Sequence, residues 1–269
     1  MNDLLVHSSV PDAHGTVLCV SPESAGWEYV GLEVIALDGA RTVRRDSGRR
    51  EVCVVVVDGT VTVRSPHGEW VGLGGRANPW AGPPDAAYLP PETTFSLEVD
   101  GEVALCWAPA PRGGAQARTL PALEIEPETR GYGTLERTIH PILMGDREAE
   151  SLLVCEVLTP AGHWSSYPPH KHDRDDPPAE TFLEETYYHR VSPARGFALQ
   201  RVYTEDRSLD ETLAIGDRDC VLVPRGYHAV SAPPGYELYY LNVMAGPTRL
   251  WAVAHDPDHE WTLDPEEQR

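Results

Sequence analysis

Residues 51–65 read EVCVVVVDGTVTVRS, two runs of β-branched residues separated by Asp58-Gly59. Branching at Cβ stiffens the side chain and suits a pleated strand, so both runs are read as strands. An Asp-Gly pair between such runs is a strong short-range hairpin signal, and a tight turn is expected at residues 58–59. The pattern recurs in TFSLEVDGEVALCWAPA (residues 94–110), around Asp100-Gly101. Further strands are read in GFALQRVYT (196–204), DCVLVPRG (219–226) and YELYYLNVMAG (236–246). No stretch beyond about ten residues keeps a helical period. Many short strands with 25 prolines at their margins imply an all-β sandwich or barrel.

The composition narrows the function classes. Acidic residues outnumber basic ones by 42 to 22, for a net charge of −20, which argues against a nucleic-acid partner. Lys171 is the single lysine, so Schiff-base chemistry elsewhere in the chain is excluded. The opening MNDLLVHSSVPDAHG lacks the basic and apolar segments of a secretion signal, and no run has the length of a membrane span. Cys19, Cys53, Cys106, Cys155 and Cys220 are scattered and never form a Cys-x-x-Cys pair. They are read as small buried hydrophobes of a reduced, cytoplasmic protein.

The chain also repeats itself. Glu51 precedes Pro90 by the same 39 residues that separate Glu185 from Pro224, an offset of 134 between copies. An internal duplication follows, with the boundary placed near residue 115 in the Pro- and Gly-rich APAPRGGAQARTLPA. The expected domains are 1–115 and 116–269, and chemistry is expected only in the second. There the shifted register carries His170, His172, Glu185 and His228, where the first copy has Ala36, Asp38, Glu51 and Thr94.

His170 and His172 lie in SSYPPHKHDRDD (165–176). Two histidines one residue apart on a strand face the same way and converge on one ion, while Lys171 between them points to the other face. Imidazoles with a carboxylate make a mixed N/O set suited to zinc first, with manganese or iron(II) as alternatives. Alternation from Glu185 aims Tyr187 inward and Glu184 outward. Arg201 and Tyr203 share one face of their strand, and Arg201 or Arg225 would suit a carboxylate. Asn242 faces the same way as Tyr240.

The order His-x-His, later Glu, then PRGYH with Asn242 downstream resembles the paired cupin motifs. The longer strings HWSSYPPHKHDRDD, EETYYHR and VLVPRGYHAVSAPPGYELYYLNVMAGP resemble the bacterial 5-deoxy-glucuronate isomerases of myo-inositol catabolism. These are bicupins related to the 5-keto-4-deoxyuronate isomerases. The resemblance implies two cupin-type β-barrels in one chain, a divalent metal on His170, His172, Glu185 and His228, and a homo-oligomer. It further implies an aldose–ketose isomerisation of 5-deoxy-D-glucuronate to 5-dehydro-2-deoxy-D-gluconate. One departure is the 12-residue interval between His172 and Glu185, which makes DRDDPPAETFLE an inserted loop and leaves Glu180 and Glu184 as competing ligands. Tyr187, Glu184 and Glu180 all stand as the catalytic base, and Arg201, Tyr203, Arg225 and Asn242 as substrate-binding residues. An iron(II) dioxygenase and a non-catalytic sugar-acid-binding bicupin are the rival classes.

Overall fold

The computed structural model describes residues 4–264 and is built from three antiparallel sheets. One sheet runs Thr16–Val20, Gly31–Asp46, Thr94–Pro109, Arg50–Ser65, Ala86–Leu89, Arg118–Leu120, with Gly68–Gly74 also paired to Arg50–Ser65. A second runs Leu5–Val6, Cys220–Val223, Glu184–Ser192, Glu237–Ala245, Leu153–Thr159, Arg137–Leu143, Glu128–Arg130. The third runs Asp210–Ile215, Ala198–Tyr203, Tyr227–Ser231, Trp164–Lys171, Ala254–His255. The first sheet forms the N-terminal half, and the other two face each other in the C-terminal half. The sheets remain open sandwiches of cupin type, so the expected all-β bicupin is what the chain forms, without full barrel closure. Sheet membership does not divide at one residue. Arg118–Leu120 still pairs with Ala86–Leu89, and Leu5–Val6 crosses to pair with Cys220–Val223.

The expected hairpins at the Asp-Gly pairs are absent. Arg50–Ser65 and Thr94–Pro109 are each one unbroken 16-residue strand, and Gly59 pairs directly with Gly101. The reason is close approach. A Cβ on Gly59 would lie 2.1 Å from the Asp100 carbonyl oxygen, and both glycines have positive φ, +72° and +122°. The aspartates bind neighbouring strands instead of closing turns: Asp58 accepts from the Glu102 N–H and Asp100 from the Gly39 N–H, each at 3.1 Å. A register shift between Val56 and Asp58 marks a bulge. It keeps one interior continuous, since Val52, Val54 and Val56 before it and Val61 and Val63 after it join the same core.

The alternate residues of that strand explain why it reads as unbroken apolar sequence. Cys53, Val55 and Val57 point the other way and pack with Val154, Tyr188, Cys220, Leu241 and Val243 of the second sheet. Both faces are covered, one by the N-terminal interior and one by the C-terminal half. Cys53, Cys106, Cys155 and Cys220 are buried as expected of small hydrophobes, whereas Cys19 is exposed.

Buried charge fastens the halves. Arg76 forks onto Glu156 through Nη1 (2.7 Å) and Nη2 (2.9 Å), and His140 Nδ1 meets the same carboxylate at 2.7 Å. Two further carboxylates act reciprocally. Glu184 accepts the backbone N–H groups of Glu28, Tyr29 and Val30, and Glu51 accepts those of Glu150, Ser151 and Leu152. Glu51 is therefore the counterpart of Glu184. The pairings agree, because Val52 stands opposite Leu89 as Glu185 stands opposite Val223. The duplication register is one residue shorter here than 134, and a one-residue slip exchanges the faces of a strand. The N-terminal half thus has Val52, in its apolar interior, where the C-terminal half has Glu185.

Candidate functional site

Trp164–Lys171 pairs with Tyr227–Ser231 so that His170 lies opposite His228, and with Ala254–His255 so that His170 also meets His255. Glu184–Ser192, in the facing sheet, brings Glu185 to the same place. His172 Nε2 lies 3.0 Å and His228 Nε2 3.2 Å from one oxygen of Glu185, and all three residues are buried. Their donor atoms fall within 4.8 Å of one another. His170 stands beside this group of three, its ring 4.5 Å from that of His228.

The backbone fixes which nitrogen each imidazole presents. His172 Nδ1 donates to the Leu183 carbonyl at 2.7 Å, and His228 Nδ1 to the Gly226 carbonyl at 3.0 Å. Each Nε2 then turns a lone pair toward a carboxylate oxygen. In the neutral imidazoles acceptor faces acceptor, an arrangement that a cation between them satisfies, or, without one, a proton on His172. Burial alone would raise Glu185, but His172 and His228 outweigh it and hold the carboxyl below its usual range. Burial lowers His172, yet Glu185 overrides it and the imidazole rises. Burial, then His228 and His172, keeps His170 well below the usual value and hence neutral.

A cavity of about 430 Å³ opens in front of these residues, within the ~300–1,000 Å³ typical of small-molecule sites. His170, Glu185, Tyr187 and Asn242 line it, as Tyr240 does. Ser166 Oγ lies 3.0 Å from the Tyr187 hydroxyl and 3.3 Å from that of Tyr240, which donates to Ser165. Ile139, Val157, Met144, Met244 and Trp251 supply apolar wall.

Other sequence-chosen residues lie elsewhere. Glu180 is clasped by Lys171 Nζ at 3.0 and 2.9 Å and by the Asp173 N–H, so it organises the inserted loop outside the cavity. Lys171 does turn away from His170 and His172, into this contact. Glu184 is committed to the three N–H groups already described and faces the N-terminal half. Neither glutamate is available as ligand or base. Arg201 is on the outer surface, paired in fork geometry with Asp210 at 2.8 Å, because its strand presents that face to solvent. Tyr203 donates to Asp256 at 2.6 Å and lines a separate small depression with Tyr227 and Arg207. Arg225 is exposed in its turn and lines neither. Arg130, Arg137 and His255, which the sequence reading passed over, do line the cavity. The available signal was alternation in RTIHPIL, which puts Arg137, Ile139 and Pro141 on one face.

Glu184→Ala provides a direct check. It should lower stability by about 1.5–3 kcal/mol, the worth of hydrogen bonds to a charged acceptor, while bound metal stays at the wild-type level. Urea denaturation and metal analysis on the same preparation measure both.

With this geometry in place, the relatives are informative. The model of the KduI/IolB family matches residues 4–262. The chain belongs to the KduI/IolB family. Among its relatives, the 5-deoxy-glucuronate isomerase of Geobacillus thermodenitrificans is 49% identical, across 98% of this chain and 97% of its own. That of Bacillus subtilis strain 168 is 43% identical, across 91% and 92%. The crystal structure of an IolB-like protein from Salmonella typhimurium LT2 superposes with a TM-score of 0.94 at 43% identity, covering 97% of this chain and all of the other. Lactobacillus farciminis oxalate decarboxylase, at 11% identity and a TM-score of 0.68, shares the bicupin fold alone. The family's members thus match this chain through both halves.

Proposed function

We propose that this protein is a metal-dependent aldose–ketose isomerase that converts 5-deoxy-D-glucuronate to 5-dehydro-2-deoxy-D-gluconate in myo-inositol catabolism. The observation that carries the reading is the buried His172–Glu185–His228 cluster, whose Glu185 lines the cavity, in a chain from this family. His228 Nε2 is buried without a hydrogen-bond partner among the described residues, which fits a metal-ligating nitrogen. His172, Glu185 and His228 would hold the ion, with His170 as fourth donor. A divalent ion bound there supplies Lewis acidity toward the aldehyde oxygen and the adjacent hydroxyl.

The reaction is internally balanced. One proton leaves C2 and one arrives at C1, while a hydroxyl proton passes from O2 to O1, so no external oxidant or reductant is needed. Tyr187 is the remaining member of the expected catalytic set that reaches the cavity. Its hydroxyl, linked through Ser166 to Tyr240, donates to a substrate oxygen and moves the hydroxyl proton between O2 and O1. Asn242, held by the Thr186 carbonyl at 3.3 Å, orients the sugar chain. The apolar wall keeps bulk water from the reacting carbons. A substrate without a C5 hydroxyl cannot close a six-membered ring, which favours the open-chain aldehyde. Zinc is the metal proposed, ahead of manganese or iron(II), a choice that imidazole and carboxylate donors support. A cytoplasmic homo-oligomer completes the proposal, with light scattering as its check.

Proton NMR of 5-deoxy-D-glucuronate with protein and added metal tests the reaction. The expected result is loss of the aldehyde signal and appearance of a C1 methylene. An unchanged spectrum with the ion bound would remove the assignment.

A further inference from the structure

Arg137 is an arginine in the cavity with no carboxylate partner among the described residues. It begins the strand Arg137–Leu143, whose alternation sends Arg137, Ile139 and Pro141 to the cavity while His140 turns back to Glu156. Among the described residues its guanidinium donates one hydrogen bond, from Nη1 to the Leu135 carbonyl at 3.1 Å, which leaves most of the fork free. The cavity's acids are otherwise engaged or distant. Glu185 lies between His172 and His228, Glu128 is taken by Arg130 at 2.7 Å, and Asp146 forms no ion pair with Arg137.

The environment raises the cost of that free charge. Burial lowers the Arg137 guanidinium from its usual range, and neighbouring Arg130 lowers it further, with Tyr240 and Tyr187 acting in the opposite sense. A half-buried cation of this kind calls for an anion. The backbone is shaped to seat it as well. Gly131 has φ +82°, and a Cβ there would lie 2.1 Å from the Leu135 oxygen and 2.9 Å from Arg137 Nη1.

We infer that Arg137 is the residue that selects a sugar acid over a neutral sugar, by forking onto the substrate carboxylate at the end of the chain remote from the reacting carbons. The inference rests on the isomerase reading and supplies the carboxylate contact that surface-bound Arg201 and exposed Arg225 cannot make. Arg130 plays a different part, being neutralised by Glu128 and laid over the Trp251 ring at 5.2 Å. A carboxylate on Arg137 leaves the aldehyde end of the chain for the part of the same cavity that Glu185 and His170 line.

The test uses metal-loaded protein with 5-deoxy-D-glucuronate and its methyl ester, together with calorimetric binding of D-glucuronate and its methyl ester. Wild type should prefer the acid in both assays. Arg137→Gln should raise KM for the acid by about 10- to 100-fold with kcat within a few-fold, and leave the ester unchanged. Arg137→Lys, which keeps charge but loses the fork, should fall between the two. Thermal melts and metal content confirm that each variant is folded and loaded. An acid-to-ester preference that survives in Arg137→Gln, in turnover and in binding, overturns the inference while the isomerase reading stands. Glucuronate binding that depends on Arg137 in a wild type that turns over neither compound upholds the carboxylate site and removes the isomerase reading. Wild type that neither binds nor converts the acid removes both.

Discussion

His228→Ala is expected to purify without metal and to lose at least about 10²-fold in kcat/KM. Disturbing even the outer partners of a ligand costs about 10–100-fold in metal affinity, and this change deletes a donor outright. Two features make His228 the sensitive position. It meets Glu185 from the strand opposite His170, and its Nδ1 is pinned by the Gly226 carbonyl, which aims Nε2 at the site. His170→Ala should lose less, because the His172–Glu185–His228 group stays intact. Lys171→Ala should keep its metal, since Lys171 faces Glu180 on the other side of the strand. Metal analysis beside steady-state kinetics on the three variants measures the gradation. Equal metal content in His228→Ala and wild type would show that the ion is held elsewhere.

The second large effect concerns stability. Arg76→Met leaves Glu156 as a buried carboxylate with His140 as its remaining ion-pair partner among the described residues, and should cost about 3–5 kcal/mol in urea unfolding. Arg76 and Glu156 are almost wholly shielded, with side-chain exposures of 5% and 0%. The Arg76 guanidinium also donates to the carbonyls of Val56, Val57 and Gly82, so the loss reaches the backbone of the N-terminal half. Glu156→Gln should recover much of the loss when combined with Arg76→Met, because the unpaired charge then disappears. Arg64→Ala, which removes an exposed pairing with Glu69 and Glu98, should leave the unfolding midpoint unchanged.

The sequence carried the fold class well, and it brought the proposed donors to one region, for a physical reason. Strand period and the His-x-His spacing are local, so His170, Glu185, Tyr187 and Asn242 reach one cavity much as alternation implies. Errors arose where a decision depended on a partner strand. Asp58-Gly59 has the composition of a turn, but Gly101 across the ladder makes it a corner within a continuing strand. Glu51 seemed the sister of Glu185; the cross-strand register makes it the sister of Glu184, and both hold the other half's backbone. Arg201 was a candidate for the substrate carboxylate, yet its strand pairs with an outer edge strand and turns Arg201 to Asp210. Arg137 escaped because its strand enters the cavity beside Leu153–Thr159, some 30 residues before the His-x-His. Nothing in the local sequence marks that adjacency. Glu180 and Glu184 were attractive as bases because carboxylates near a metal motif often act so, but both are consumed by hydrogen bonds that no spacing rule reveals.

The central claim is that one ion binds in the C-terminal half and none in the N-terminal half. Anomalous diffraction from crystals of the active, metal-loaded protein, measured on both sides of the metal's absorption edge, tests it most directly. The account predicts one peak per chain, in bonding distance of His172 Nε2, His228 Nε2 and a Glu185 oxygen. A peak among Val52, Phe95 and Leu97 in the N-terminal interior, or an active crystal with no peak at the histidines, would contradict it.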